Sequence, residues 1–236
     1  MKMETYEISE IFSGNVKIYH YPSITPSKRV LLVLKGIYGE HVPTCNSWDN
    51  ALVKLLQNDY HLIFIRTSRL DDKVDREAFV GKTFEQEYTE VINAFEYCNK
   101  NIFSNDYVWA SIGVSLGGTI LLATPEILSQ MKLVIIVGSG CGRNPETTKP
   151  LLSTLPETED LLQSLNPYTN TFIFLHGEAD TVVPTDSQRM IYDRAVNYST
   201  KHEWVSLPNL DHGLKDAITR ESHMAETVSQ YVRNNF

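Results

Sequence analysis

The sequence predicts an α/β fold, a mostly parallel eight-stranded sheet with helices on both faces and a small cap. Three observations carry this. Apolar runs that read as buried strands alternate with amphipathic stretches along most of the chain, which points to parallel βαβ units. The chain opens on segments 6–12 and 16–21 flanking Ser13-Gly14-Asn15, a predicted hairpin that makes the start of the sheet antiparallel. A glycine-rich turn around Ser115 joins a strand directly to a helix.

The elements follow in order. Arg29-Val30-Leu31-Leu32-Val33-Leu34 reads as the third strand. A helix over 47–57 places Trp48, Leu52, Leu55 and Leu56 on one face. Tyr60-His61-Leu62-Ile63-Phe64-Ile65 is the next strand, and the charges of 66–77 after it read as a solvated loop. Thr83 and Gln86 form a capping box for a helix with an apolar stripe of Phe84, Tyr88, Val91, Ile92 and Phe95. The strand 107–112 leads through Ser115 into a helix expected to stop near Pro125. Leu133-Val134-Ile135-Ile136-Val137, Thr171-Phe172-Ile173-Phe174-Leu175 and Glu203-Trp204-Val205-Ser206-Leu207 complete the strands. Thr185 and Gln188 signal a helix after Pro184, and a last helix over 221–233 carries Met224, Val228, Tyr231 and Val232. The insert 141–170 holds six leucines, Leu151, Leu152, Leu155, Leu161, Leu162 and Leu165, which are either core or the wall of a pocket. It is long enough for a short helical cap and too short for a separate lid domain. Residues 1–236 thus read as one domain.

The chemistry centres on Gly113-Val114-Ser115-Leu116-Gly117-Gly118. A serine between strand and helix, with glycines where side chains would collide, is a G-x-S-x-G nucleophile elbow. Taken alone, the same run is also a plain glycine turn packing a helix on a strand. Asp180 and His212 follow, each just after an apolar strand, where sites assemble in an open parallel sheet. Glu178, Asp186 and Asp211 are other possible acids, although Asp211 adjoins His212 and neighbours on a loop seldom face each other well. His176 is expected to support the loop of Asp180.

In the elbow, in His176-Gly177-Glu178-Ala179-Asp180-Thr181-Val182-Val183-Pro184 and in Asp211-His212-Gly213, the chain resembles the α/β-hydrolase superfamily. The resemblance implies Ser115 as nucleophile, His212 as base and Asp180 as acid, with no cofactor. Backbone N–H groups of Leu116 and Ile37 are expected to form the oxyanion hole. Two departures stand out. Lys35 occupies the place of a common histidine before Gly36, where it is either a solvated strand-end ammonium or a selector of anionic substrates. The loop after 60–65 lacks the glycines usual there.

Composition narrows the rest. A net charge of −8 without a basic run argues against a nucleic-acid surface. No apolar run approaches a membrane helix, and the start at Met1 lacks the apolar core of a signal peptide. Cys45, Cys98 and Cys141 show no metal or redox spacing, so a reducing cytoplasmic location is expected. The expectation is a serine hydrolase acting on a small or medium carboxylic ester or thioester. A peptidase or amidase with the same residues, and a non-catalytic binding protein of the same fold, are the alternatives.

Overall fold

The computed structural model describes residues 2–8, 15–37, 41, 43, 46–68, 82–143, 150–166 and 168–236. Along the chain lie β1 (Glu4–Ile8), β2 (Val16–Tyr21), β3 (Arg29–Leu34), α1 (Trp48–Leu56), β4 (His61–Arg66), α2 (Phe84–Tyr97), β5 (Val108–Val114), α3 (Leu116–Leu122), α4 (Pro125–Leu128), β6 (Met131–Val137), α5 (Pro150–Ser153), α6 (Thr158–Gln163), β7 (Thr171–Gly177), α7 (Thr185–Val196), β8 (Lys201–Leu207) and α8 (Met224–Asn235). The eight strands form one open sheet in the order β1-β2-β4-β3-β5-β6-β7-β8. β2 is antiparallel to both β1 and β4, and the remaining pairs are parallel.

Strand side chains alternate between two cores, as a period of two requires. Val30, Leu32 and Leu34 face one side of the sheet, and Leu31 and Val33 the other. Phe172 and Phe174 likewise oppose Ile173 and Leu175. The first side is covered by α2, α3 and α7 through residues such as Phe95, Ile120 and Ile191. α1 and α8 cover the second through Leu52, Leu56, Val228 and Val232. Burial on both faces explains why the inner strands β3 to β7 are largely apolar runs in the sequence, whereas the edge strands β1 and β8 are partly exposed and mixed.

Helix ends follow local chemistry. Thr83 accepts from the Gln86 N–H and the Gln86 side chain accepts from the Thr83 N–H, the reciprocal pair expected of a capping box. α3 stops at Leu122, and Pro125 then begins α4 at a position where its missing N–H costs nothing. Thr124 between them donates its hydroxyl to the Leu121 carbonyl.

Boundaries differ at both termini. β1 is Glu4–Ile8, paired with β2; of the expected hairpin tip, Ser13 and Gly14 lie outside the described residues, and the Asn15 side-chain amide donates to the Glu7 carboxylate. α8 starts at Met224 rather than 221, because Lys215 and Ser222 form a β-bridge and the His223 N–H donates to the Leu214 carbonyl. Residues 69–81, most of the charged loop, lie outside the description; Arg66 at its start is buried.

Among the described residues of the insert, the cap holds two short helices, α5 and α6, and its leucines divide. Leu151, Leu161, Leu162 and Leu165 are buried in the core, whereas Leu152 and Leu155 line a cleft.

Candidate active site

Ser115 sits between β5 and α3 with φ 52° and ψ −123°, a conformation L-residues rarely adopt. Its backbone is tied on both sides. The Ser115 N–H donates to the Val137 carbonyl (2.8 Å), and the Ser139 hydroxyl donates to the Ser115 carbonyl (2.7 Å). The glycines are a steric necessity. A Cβ on Gly113 would stand 2.5 Å from the Gly118 Cα, and one on Gly117 would stand 2.2 Å from the Leu34 carbonyl oxygen. The turn therefore packs backbone against backbone and leaves the serine side chain at the C-terminal edge of the sheet.

His212, on the segment after β8, places Nε2 2.9 Å from Ser115 Oγ and Nδ1 2.9 Å from Asp180 Oδ2. The tautomer follows from chemistry. An ionised carboxylate only accepts, so Nδ1 carries the proton and Nε2 is left to accept from the serine hydroxyl. Gly138, at φ 57° where β6 ends, makes room for the ring; a Cβ there would lie 3.1 Å from His212 Nδ1.

Asp180 follows β7 with its side chain fully buried. Burial pushes its carboxyl upward, but hydrogen bonds from His212 and from the Val183 and Val182 N–H groups outweigh it, and the group rests below its ordinary range. The backbone donors reach Oδ1 at 3.1 and 2.8 Å. The Gln188 amide donates a fourth bond, to Oδ2 at 2.9 Å, and a further one to the Val183 carbonyl. With both amide protons in use, Gln188 Oε1 faces His176 Nδ1 at 3.1 Å, so that histidine nitrogen donates. His176 thus supports the Asp180 loop through Gln188.

Among the described residues, none of the other possible acids is bonded to His212. Asp211 Oδ1 accepts from the Gly213 and Lys215 N–H groups, and its Oδ2 pairs with Arg220 at 3.0 Å. Glu178 accepts from the Ser206 hydroxyl, and Asp186 is exposed in the first turn of α7.

A cleft of about 580 Å³ opens beside Ser115, walled by Ile37, Leu116, Leu152, Leu155, Val182 and Val183. Leu116 opens α3, where the first N–H groups of a helix lack intrahelical acceptors. Ile37 follows Gly36, whose backbone packs so close to the serine that a Cβ on it would stand 3.2 Å from Ser115 Cβ. Lys35 departs from both expectations. Its side chain is only 9% exposed, and its ammonium is paired with the fully buried Asp49 at 2.8 Å, so it is neither solvated nor presented to a substrate. Among the described residues no cluster of His, Cys, Asp and Glu could hold a metal ion, and no helix is long and apolar enough to cross a membrane.

Sequence reasoning missed Gln188, Ser139 and Asp49. The spacing of Thr185 and Gln188 resembles a capping pair, yet the N-cap of α7 is Pro184, without a side-chain cap, and Gln188 turns to Asp180 instead.

No family model matches the sequence, and no curated protein is significantly similar to it. Solved structures are similar in fold. Est1E from Butyrivibrio proteoclasticus shares 14% identity over 98% of both chains with a TM-score of 0.66. The esterase domain of a Rhodothermus marinus protein shares 15% over 99% of both chains with a TM-score of 0.68. Dienelactone hydrolase from Anabaena variabilis shares 13% over 100% of this chain and 98% of the other, with a TM-score of 0.70.

The close packing of the turn can be tested without a substrate. Gly117→Ala sets a methyl group against the Leu34 and Lys35 backbone carbonyls, whereas a Cβ on Gly142 meets nothing within 4 Å. Overpacking of this kind costs about 1–3 kcal/mol or more. Thermal melts should show Gly117→Ala several degrees below the wild type and Gly142→Ala unchanged. Equal melting of the two variants would contradict the packing described.

Proposed function

We propose that this chain, whose fold is that of the α/β-hydrolases, is a serine hydrolase cleaving small or medium carboxylic esters or thioesters through an acyl-enzyme. One observation carries the proposal: Ser115, His212 and Asp180 are linked at 2.9 Å each, at strand ends, beside an apolar cleft. Esterases among the similar structures support the ester class, and ferulic acid is bound to one of them, Est1E.

In this reading His212 Nε2 takes the Ser115 proton as Oγ attacks the carbonyl carbon, and returns it to the departing alcohol or thiol. Asp180 holds Nδ1–H and stabilises the imidazolium that forms. The Leu116 and Ile37 N–H groups receive the oxyanion. Water then enters and attacks the acyl carbon as His212 Nε2 takes its proton; the Ser115 Oγ–acyl bond breaks, the imidazolium returns the proton to Oγ, and the acid leaves. Leu152 and Leu155 place apolar surface where an acyl chain would lie.

Three outcomes check this. A fluorophosphonate probe should label the wild type at Ser115, and Ser115→Ala should abolish labelling and lower kcat by about 10⁶-fold. Wild-type protein that resists the probe, or a Ser115→Ala variant as active as the parent, would rule the mechanism out. A wild type that labels yet turns over only amides would move the reading to a peptidase.

The geometry also ranks the two aspartates. Asp180→Asn removes the acceptor at His212 Nδ1 and should lower kcat by about 10⁴-fold. Asp211→Asn, whose partners lie within its own loop, should cost far less. The opposite ranking on one ester would reassign the acid.

Chain-length preference should follow the short wall. On p-nitrophenyl esters, kcat/KM should rise over the first few carbons, by up to about 0.8 kcal/mol per methylene that finds apolar contact. It should level or fall once the chain passes Leu152 and Leu155. A steady rise to long-chain esters, or no dependence at all, would contradict the assignment of those leucines.

A further inference from the structure

Lys35 and His41, which flank Ile37 in the sequence, are both fastened to one buried carboxylate. Lys35 Nζ donates to Asp49 Oδ2 at 2.8 Å, and His41 Nδ1 donates to the same oxygen at 2.6 Å. Asp49 lies in the first turn of α1, and its side chain is fully buried. Ser47, just before the helix, donates its hydroxyl to Oδ1.

The direction of each bond is fixed by chemistry. An ammonium can only donate. Burial lowers the pKa of His41 despite its bond to Asp49, which favours the neutral ring with one proton and one lone pair. Because Asp49 accepts, the proton is on Nδ1, and Nε2 accepts from the Tyr21 hydroxyl at 2.6 Å. Tyr21, pushed up to about 12 chiefly by burial and also by the Asp49 charge, keeps the proton it donates. The ring is further fixed by stacking on Phe64, with centroids 4.1 Å apart and planes 15° from parallel. Lys35, Asp49, His41 and Tyr21 therefore form a set with no rotational slack.

This set adjoins the reaction centre through backbone. A Cβ on Gly117 would stand 2.7 Å from the Lys35 carbonyl oxygen, and Gly36 packs directly on Ser115. Any shift of the Lys35 main chain is thus a shift of the next two residues against the serine. Oxyanion donors act only within about 3 Å of the developing charge, so small displacements there reduce the rate steeply. Stability alone accounts poorly for the arrangement, since a buried ion pair is often no more stabilising than apolar residues of similar shape.

We propose that Asp49 is a positioning residue for the oxyanion donor: by holding both Lys35 and His41, one on either side of Ile37, it fixes the Ile37 N–H against Ser115. The inference rests on the serine-hydrolase reading above and names a part of it that the site residues do not reveal.

The test is Asp49→Asn in the full chain, assayed on p-nitrophenyl acetate and with a fluorophosphonate, the active fraction being titrated by the acyl-enzyme burst. Losing an oxyanion donor outright costs about 10²–10³-fold, so misplacing one should lower kcat per active site by about 10- to 100-fold. KM should stay within about threefold, because the substrate's ground state does not need the hole, and phosphonylation should slow in parallel with kcat. A purely structural role would lower the melting temperature and the active fraction while leaving kcat per site unchanged, and that result would overturn the proposal. The paired variant Lys35→Met with Asp49→Leu removes both charges together, and it carries the test should the single variant fail to fold. Recovery of melting temperature with kcat still depressed supports positioning; recovery of both overturns it. A wild type that neither hydrolyses esters nor labels would instead overturn the underlying hydrolase reading.

Discussion

The first turn of α3 lies so close to the ends of β3 and β5 that a Cβ on Gly113 or Gly117 would collide with backbone, and one on Gly118 would collide with Ser139 beyond β6. Ser115 absorbs the geometry of that approach as a positive φ. Strain of this kind persists only where the surroundings over-determine it. Here they do so through the Val137 carbonyl and the Ser139 hydroxyl, both at the end of β6. The serine thus has one position, and the other groups are arranged around it. Gly138 leaves room for the His212 ring, and Gly36 lets the strand-end loop lie against the serine side chain.

The same economy governs Asp180. Its carboxylate receives four hydrogen bonds, two from backbone and two from side chains. A carboxylate so satisfied stays ionised although its side chain is fully buried. It also has no freedom to turn away from the imidazole. Gln188 adds the last of these bonds from α7, and His176 fixes the amide's orientation in turn. Each layer removes one rotation from the layer inside it. Asp211 illustrates the contrast: adjacent in sequence to the histidine, it is committed to shaping the 211–215 turn and to Arg220.

The fold was readable because its signals are local or periodic. Strands buried on both faces are continuous apolar runs, the α2 capping box is written in Thr83 and Gln86, and the order of strands and helices follows from alternation. The positions of Ser115, Asp180 and His212 at strand ends were readable for the same reason. What stayed hidden depends on contacts between distant segments. Lys35 looks like a strand-end residue free to reach water, because nothing in its neighbourhood of sequence announces that Asp49 is waiting in the core. Gln188 matches a capping spacing and is used for something else. The six cap leucines cannot be told apart by composition. Only the path of α5 and α6 assigns four to the core and leaves Leu152 and Leu155 at the cleft.

Among the described residues, buried ion pairs gather on the C-terminal side of the sheet, where strand backbone gives way to loops. Asp49 holds Lys35 beyond β3, Asp180 holds His212 beyond β7, and Lys82 pairs with Glu87 and Glu90 beside the end of β4. In the last group Glu87 accepts from the Thr67 hydroxyl and Glu90 from the Ser68 N–H, so the start of the following loop is fixed to α2. Ion pairs removed from water add little net stability, because desolvation offsets most of their attraction. They do supply direction, which apolar packing lacks. An aliphatic side chain would fill the space beside Lys35 or Ser68 and leave the loop backbone several acceptable positions. A carboxylate accepting from two or more named donors leaves one. That difference has least value in the sheet core, where the strand ladder already sets the backbone, and most value at loops such as the one that holds the His212 imidazole 2.9 Å from the Ser115 hydroxyl.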